Sequence, residues 1–215
     1  VRLPGGDWAC QFELNKHYDD LAVWRHSSVL LFSKDEGKSW TDHVITSNDP
    51  TNRIFYWDQR PGVMTDGSLL NLFWTYDNET KSYLNIHART SDDNGHTWSE
   101  LYDTGVQGQP GPPVSFDDGK VAIVYVDRQA DAAIHMRISD HYGTIGPNNP
   151  EFVLYKYAQS QVMNRTSMQD AWAEMGKYSV GLPVTARLSD RQLLVVYYAG
   201  AHADHTAIEW VHIRI

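Results

Sequence analysis

The segment SDDNGHTWSE (residues 91–100) repeats the residue types, in order, of SKDEGKSWTD (33–42). Both read Ser-x-Asp-x-Gly-x-Ser/Thr-Trp. A short acidic side chain in such a stretch accepts hydrogen bonds from the turn's own amides, glycine enters conformations closed to other residues, and an indole offers a broad packing face. The pattern predicts a stapled turn between two strands, with Trp40 and Trp98 packed under the hairpin and Asp35 and Asp93 bonded to their own turn rather than to a substrate. A calcium loop fits less well. The spaced ligands and closing Glu of an EF-hand are missing.

Working outward, a second unit recurs in register with the first. A reversal followed by a dense apolar run stands at TDGSLLNLFWTYD (65–77), DDGKVAIVYVDR (117–128) and SDRQLLVVYYAG (189–200), with LPGGDWACQFELNK (3–16) as a fourth copy. Each is followed by another strand-like segment: SSVLLFS (27–33), SYLNIHARTS (82–91), AAIHMRIS (132–139) and HTAIEWVHIRI (205–215). SDHYGTIG (139–146) is a worn third copy of the stapled turn, keeping Ser139, Gly143 and Thr144 without the Trp. Asp-Gly reverses a chain tightly, and the flanking β-branched and aromatic residues suit buried strands. A period of about fifty residues, each holding four antiparallel strands, predicts an all-β fold whose sheets pack radially as β-propeller blades. The expected blades are 1–50 (without a first strand), 53–105, 108–157 and 178–215 (without a last strand), within one domain, 1–215. The period breaks once, at SQVMNRTSMQDAWAEMGKY (160–178). There Thr166 or Ser167 as N-cap, Asp170 in the first turn and Gly176 as terminator predict a short helix near 167–175, a lid or an edge cover.

Composition agrees with a β-rich fold and narrows the partners. The 215 residues are 41% hydrophobic and 12% aromatic, too apolar for disorder. The net charge of −9 supplies no broad basic field, so neither nucleic acid nor an anionic membrane is an expected partner. No apolar run approaches the roughly 20 residues that span a bilayer, and VRLPGGDW has neither the basic start nor the apolar middle of a signal peptide. Cys10, the single cysteine, is expected to be a small buried hydrophobe. The sequons at Asn78 and Asn164 carry little weight. His87 and His135 read as core strand residues. His202, Asp204 and His205 are of metal-binding type but share one loop without a fourth ligand, so no metal is expected. With no Gly-rich phosphate loop and no G-x-S-x-G elbow, no cofactor is expected either.

SKDEGKSW and SDDNGHTW resemble the Asp boxes, or BNR repeats, of the sialidase (neuraminidase) superfamily. The resemblance implies a six-bladed β-propeller, of which about four blades are present here, similar to the C-terminal part of such a protein. For activity it implies a glycosidase acting on a terminal sugar, sialic acid among them. The family's chemistry would use a Tyr nucleophile assisted by a Glu, an Asp acid/base and three arginines on the substrate carboxylate. KYSVGLPVTARLSDRQLLVVYY (177–198) is similar to the segment carrying that Tyr, which makes Tyr178 the matching residue. Asp58 falls near the assisting Glu. Arg128 sits where one carboxylate-binding arginine is placed, with an ion pair to Asp127 or Asp131 as its alternative role; Arg60 is a second cation for such a clamp. The N-terminal arginine motif and the Asp acid/base have no counterpart in this sequence, and no Arg precedes the third turn at the remaining arginine's spacing. The resemblance alone therefore implies an incomplete catalytic set.

Strand direction alternates within a blade, so the stapled turns and Asp-Gly reversals share one face and the blade-to-blade connections share the other. The second face gathers Lys16, His17, Asp19, Asp20, Trp57, Asp58, Gln59 and Arg60 from the first half of the chain. Trp74, Tyr76, Gln109, Asp127, Arg128, Tyr178 and Tyr198 join them. Flat aromatic faces beside carboxylates, amides and guanidinium groups suit a carbohydrate. For any one aromatic, packing between blades is an equal alternative. Two further readings remain: a non-catalytic propeller binding glycan or protein on that face, and self-association through open blade edges.

Overall fold

The computed structural model describes residues 1–16, 20–23, 25–129, 132–157 and 166–215. Strands β1 (Trp8–Leu14), β2 (Ser27–Ser33) and β3 (Val44–Asn48) form the first sheet. The second holds β4 (Ile54–Val63), β5 (Leu69–Asp77), β6 (Ser82–Tyr83), β7 (Asn85–Ser91) and β8 (Tyr102–Gln107). The third holds β9 (Gln109–Pro110), β10 (Val114–Ser115), β11 (Val121–Asp127), β12 (Ala133–Ser139) and β13 (Glu151–Lys156). Helix α1 (Met168–Met175) then precedes the fourth sheet, β14 (Val180–Ser189), β15 (Gln192–His202) and β16 (His205–Arg214). The sheets are antiparallel and stand as the blades of a four-blade β-propeller.

Burial along β11 shows why the blades stack. All seven of its residues are buried. Because side chains alternate across a strand, Val121, Ile123 and Tyr125 enter the core shared with blade two while Ala122, Val124 and Val126 enter the core shared with blade four. A strand covered on both faces needs the unbroken apolar run that VAIVYV supplies. The innermost strands converge backbone to backbone at two Gly–Pro contacts. A methyl group added to Gly62 would overlap Pro113, and one at Gly111 would overlap the Pro183 carbonyl.

The two stapled turns share one hydrogen-bond pattern. Ser33 Oγ donates to Asp35 Oδ1 and accepts from Gly37 N, and Ser39 N donates to Asp35 Oδ1; Ser91, Asp93, Gly95 and Thr97 repeat the set. The two tryptophans differ in burial. Each donates its Nε1 proton to the glycine carbonyl of its own turn, 3.1 Å for Trp40 and 3.0 Å for Trp98, so the indole closes the turn. Trp98 packs on the Leu30, Phe32 and Leu69 cluster between blades one and two, whereas Trp40 stays 41% exposed. In the worn third turn His141 Nδ1 takes the acceptor role, receiving Gly143 N at 3.0 Å.

Cys10 is half-buried, not part of the core. Alternation puts it on the face of β1 that carries Trp8 and Phe12, both exposed, while Ala9 faces blade two. Gln59 also departs from expectation. Its amide donates to Phe12 O and Val29 O and accepts from Thr46 Oγ1 and Asn71 Nδ2, which fills its capacity. It is a buried staple between blades one and two rather than a ligand-facing group.

Candidate functional site

On the face where the second strand of each blade ends lies a cavity of about 340 Å³. Glu13 and Asn15 from blade one, Trp57, Asp58 and Trp74 from blade two, and Gln109 and Arg128 from blade three contribute to its wall. Trp172 and Met175 of α1, then Tyr178, Leu182 and Tyr198 of blade four, complete it.

Two of these residues are placed by irregular backbone. The β4–β5 register shifts between Trp57 and Arg60, and the β14–β15 register shifts between Gly181 and Val184. Inside those bulges Asp58 has φ 49° and Leu182 has φ 46°. A bulge re-aims a side chain, and a non-glycine residue held there costs about 1–3 kcal/mol, which surrounding bonds must offset. Around Asp58 they do so. Its amide donates to Glu13 Oε1, its Oδ1 pairs with Arg60 Nη2 at 2.5 Å, and its Oδ2 accepts from Gln109 Nε2 at 2.7 Å. Burial nevertheless raises the Asp58 pKa, against the pull of Arg60 and Gln109. Burial also pushes Glu13 up to about 7, against its bond from the Asp58 amide and helped by the Asp58 charge. Glu13 as a residue is exposed along the cavity mouth.

Tyr178 follows α1 directly. Ser167 caps the helix reciprocally with Asp170, and Gly176 ends it, as expected. That brings Glu174 back against the tyrosine, whose hydroxyl donates to Glu174 Oε1 at 3.1 Å. The Arg128 guanidinium lies over the same ring, 3.9 Å from its centroid. Arg128 donates from Nε and Nη2 to Val180 O, at 3.2 and 2.9 Å, and from Nη1 to Gln109 Oε1 at 2.7 Å. Gly181 permits this approach, because a methyl group there would fall on Arg128 Nη2. Burial first, then Tyr83 nearby, holds the Tyr178 phenol above its ordinary range despite the arginine.

The structure thus brings together Trp57, Asp58, Trp74, Arg128, Tyr178 and Tyr198, and sets four other expected site residues apart. Gln59 is the staple described above. Tyr76 is fully buried, stacked behind Trp57 at 4.5 Å, because β5 is covered on both faces. Arg60 is turned to Asp58 and away from the cavity wall. Asp127 is buried and accepts from Gln129 N at 2.6 Å, closing its own turn. His17, Asp19, Asp131 and Asn164 lie outside the described residues. His202 and His205 face each other across the β15–β16 turn, and no group of three metal-ligating side chains occurs among the described residues.

Glu13, Asn15, Trp172 and Glu174 escaped the sequence reading. Aligning the Gly6 and Gly119 turns puts Asn15 at the place of Arg128, with Glu13 two residues before it, so a signal existed. Glu174 had one too, four residues ahead of Tyr178 across a helix end.

No family model matches the sequence, and no curated protein matches it. Solved structures do match in three dimensions. A protein of unknown function from Dyadobacter fermentans matches 100% of this chain at 19% identity and a TM-score of 0.74, the chain covering 52% of it. The Hadza microbial sialidase Hz136 matches over 99% of this chain at 13% identity and TM-score 0.61, with 44% of that chain covered. Penicillium chrysogenum α-L-arabinanase, complexed with arabinobiose, matches over 99% at 17% identity and TM-score 0.52, with 60% covered. The chain spans about half the length of these proteins. At such identities the likeness shows the fold alone, a β-propeller like those of these structures.

Proposed function

We propose that the cavity binds a terminal sugar residue and that the chain forms part of a glycoside hydrolase. The observation carrying this reading is the Tyr178–Glu174 hydrogen bond at the wall of a cavity faced by three indoles. The volume of about 340 Å³ lies near the lower end of ligand pockets, which run from roughly 300 to 1,000 Å³, and suits one ring rather than a long chain. Glycoside hydrolases that use tyrosine in place of a carboxylate nucleophile are an accepted departure from the usual pair.

In this mechanism Tyr178 Oη attacks the anomeric carbon as Glu174 takes the phenolic proton, and the glycosidic C–O bond breaks. The leaving oxygen receives a proton from Glu13, whose raised pKa keeps part of it protonated near neutrality. Water then attacks the anomeric carbon of the tyrosyl glycoside and gives one proton to the Glu13 carboxylate, while the bond to Tyr178 Oη breaks and Glu174 returns the phenolic proton. Asp58 has a positioning role, because Arg60 and Gln109 occupy its oxygens. Sialic acid is one candidate terminal sugar. A screen of 4-methylumbelliferyl glycosides tests the reading: Tyr178→Phe should abolish release of the fluorophore without lowering the melting temperature. Turnover retained in that variant would remove Tyr178 from the chemistry.

A second reading, glycan binding without cleavage, draws support from the same phenol. Burial holds its proton, which opposes attack. Retention on a glycan array with no turnover of any glycoside would favour it.

A further inference from the structure

We infer that the cavity takes an uncharged sugar ring and discriminates against sugars that carry a carboxylate. The inference rests on the sugar-pocket reading above and goes on to name the substrate class. Arg128 is the one cation on the cavity wall among the described residues. A guanidinium grips a carboxylate through a pair of neighbouring N–H groups, and it has two edges able to do so. The Nε–Nη2 edge of Arg128 is engaged by Val180 O, and Nη1 donates to Gln109 Oε1. With only 6% of the residue exposed and its Cζ over the Tyr178 ring, little of the guanidinium is offered to the cavity. Arg128 is a positioning residue: it sets Tyr178, Gln109 and the start of β14.

Arg60 adds no clamp, since its charge is directed at Asp58. The groups facing the cavity are instead carboxylic acids, Glu13 and Asp58, with Glu174 behind the tyrosine. Asp58 is already paired with Arg60, so the repulsion falls to Glu13: a ligand carboxylate brought within a few ångströms of its ionised carboxyl loses on the order of tenfold or more in affinity at an interior effective dielectric. The remaining surface is indifferent to ligand charge. Trp57, Trp74 and Trp172 contribute apolar indole surface to the wall, while Asn15 and Tyr198 contribute neutral polar groups.

Matched pairs of probes test this on the unaltered chain. Methyl β-D-glucoside against methyl β-D-glucuronide, and galactose against galacturonate, differ only in the carboxylate; L-arabinose and N-acetylneuraminic acid extend each class. Affinities from calorimetry or ligand-observed NMR at about pH 8, above the Glu13 pKa, should favour the neutral member of any bound pair by roughly tenfold or more. Glu13→Gln, at an exposed position, should narrow that gap several-fold; a gap that does not move overturns the assignment of selectivity to the wall carboxylates. Equal or tighter binding of an acidic member overturns the inference and leaves the sugar-pocket reading standing. Binding of none of the probes overturns both.

Discussion

Glu13 and Asp35 are both carboxylic acids, and their surroundings move them in opposite directions. The Ser39 hydroxyl and amide, with Ser33, hold Asp35 down to about 2, whereas burial in the cavity wall pushes Glu13 up to about 7. Linkage turns these directions into a pH profile. A carboxyl lowered in the folded state contributes stability that is present above its ordinary value of 3.8 and is lost as pH falls toward 2; Asp35, Asp77, Asp93 and Asp170 act this way. Glu13 has the reverse sign. Its folded form binds the proton more tightly, so stability declines as pH rises from 4.5 toward 7. Melting curves should therefore show the two proteins diverging through that window, with Glu13→Gln gaining on the unaltered chain as pH rises. A constant difference from pH 4.5 to 7 would mean that the Glu13 carboxyl is not perturbed. Tyr178, singled out by the resemblance of residues 177–198, lies on the cavity wall. Its partner was not legible, because propensity marks Glu174 only as a helix former, and contact depends on where the helix ends.

The stapled turn is the element whose role the sequence states best. In blade two Asp93 accepts from Ser91 Oγ, Thr97 N and Thr97 Oγ1. All three partners lie within a few residues, so local spacing specifies the whole motif. Asp93→Ala should cost about 1–3 kcal/mol in urea denaturation while leaving sugar affinity at the cavity unchanged, since the turn is on the opposite face. Loss of affinity without loss of stability would place Asp93 in the site and invalidate the strand register. The tryptophan of the motif was less legible. Trp98 and Trp40 make the same bond within their turns, yet only Trp98 meets a neighbouring blade's apolar surface, and burial depends on what lies across the gap. Helix α1 follows the same division: its capping box was readable from Ser167 and Asp170, and its position over the cavity, with Trp172 and Met175 turned in, was not.

For the molecule as a whole, the governing contacts are those between innermost strands. At Gly111 the nearest atoms are the Pro183 carbonyl and Val124 O, both backbone, which cannot rotate aside. Gly111→Ala should therefore destabilise by about 1–3 kcal/mol through overpacking at the junction of blades three and four, read as a lower denaturation midpoint. Wild-type stability in that variant would show that the blades stand further apart than described. The four-sheet architecture followed from sequence because its causes are local and repeated: Asp-Gly reversals, alternating apolar runs, and a turn that closes on its own side chains. Gln59, Tyr76, Arg60 and Asp127 carry the same residue types as the true cavity wall, and only packing separates them. The sequence by itself determined the strand rhythm, the turns and the face on which the cavity opens, because each depends on neighbours a few residues away. Only the tertiary structure decided that Arg128 is engaged by Val180 and Gln109, and that Glu13 meets Asp58. Those contacts join residues 52, 19 and 45 positions apart, brought together where radially packed blades and one helix converge.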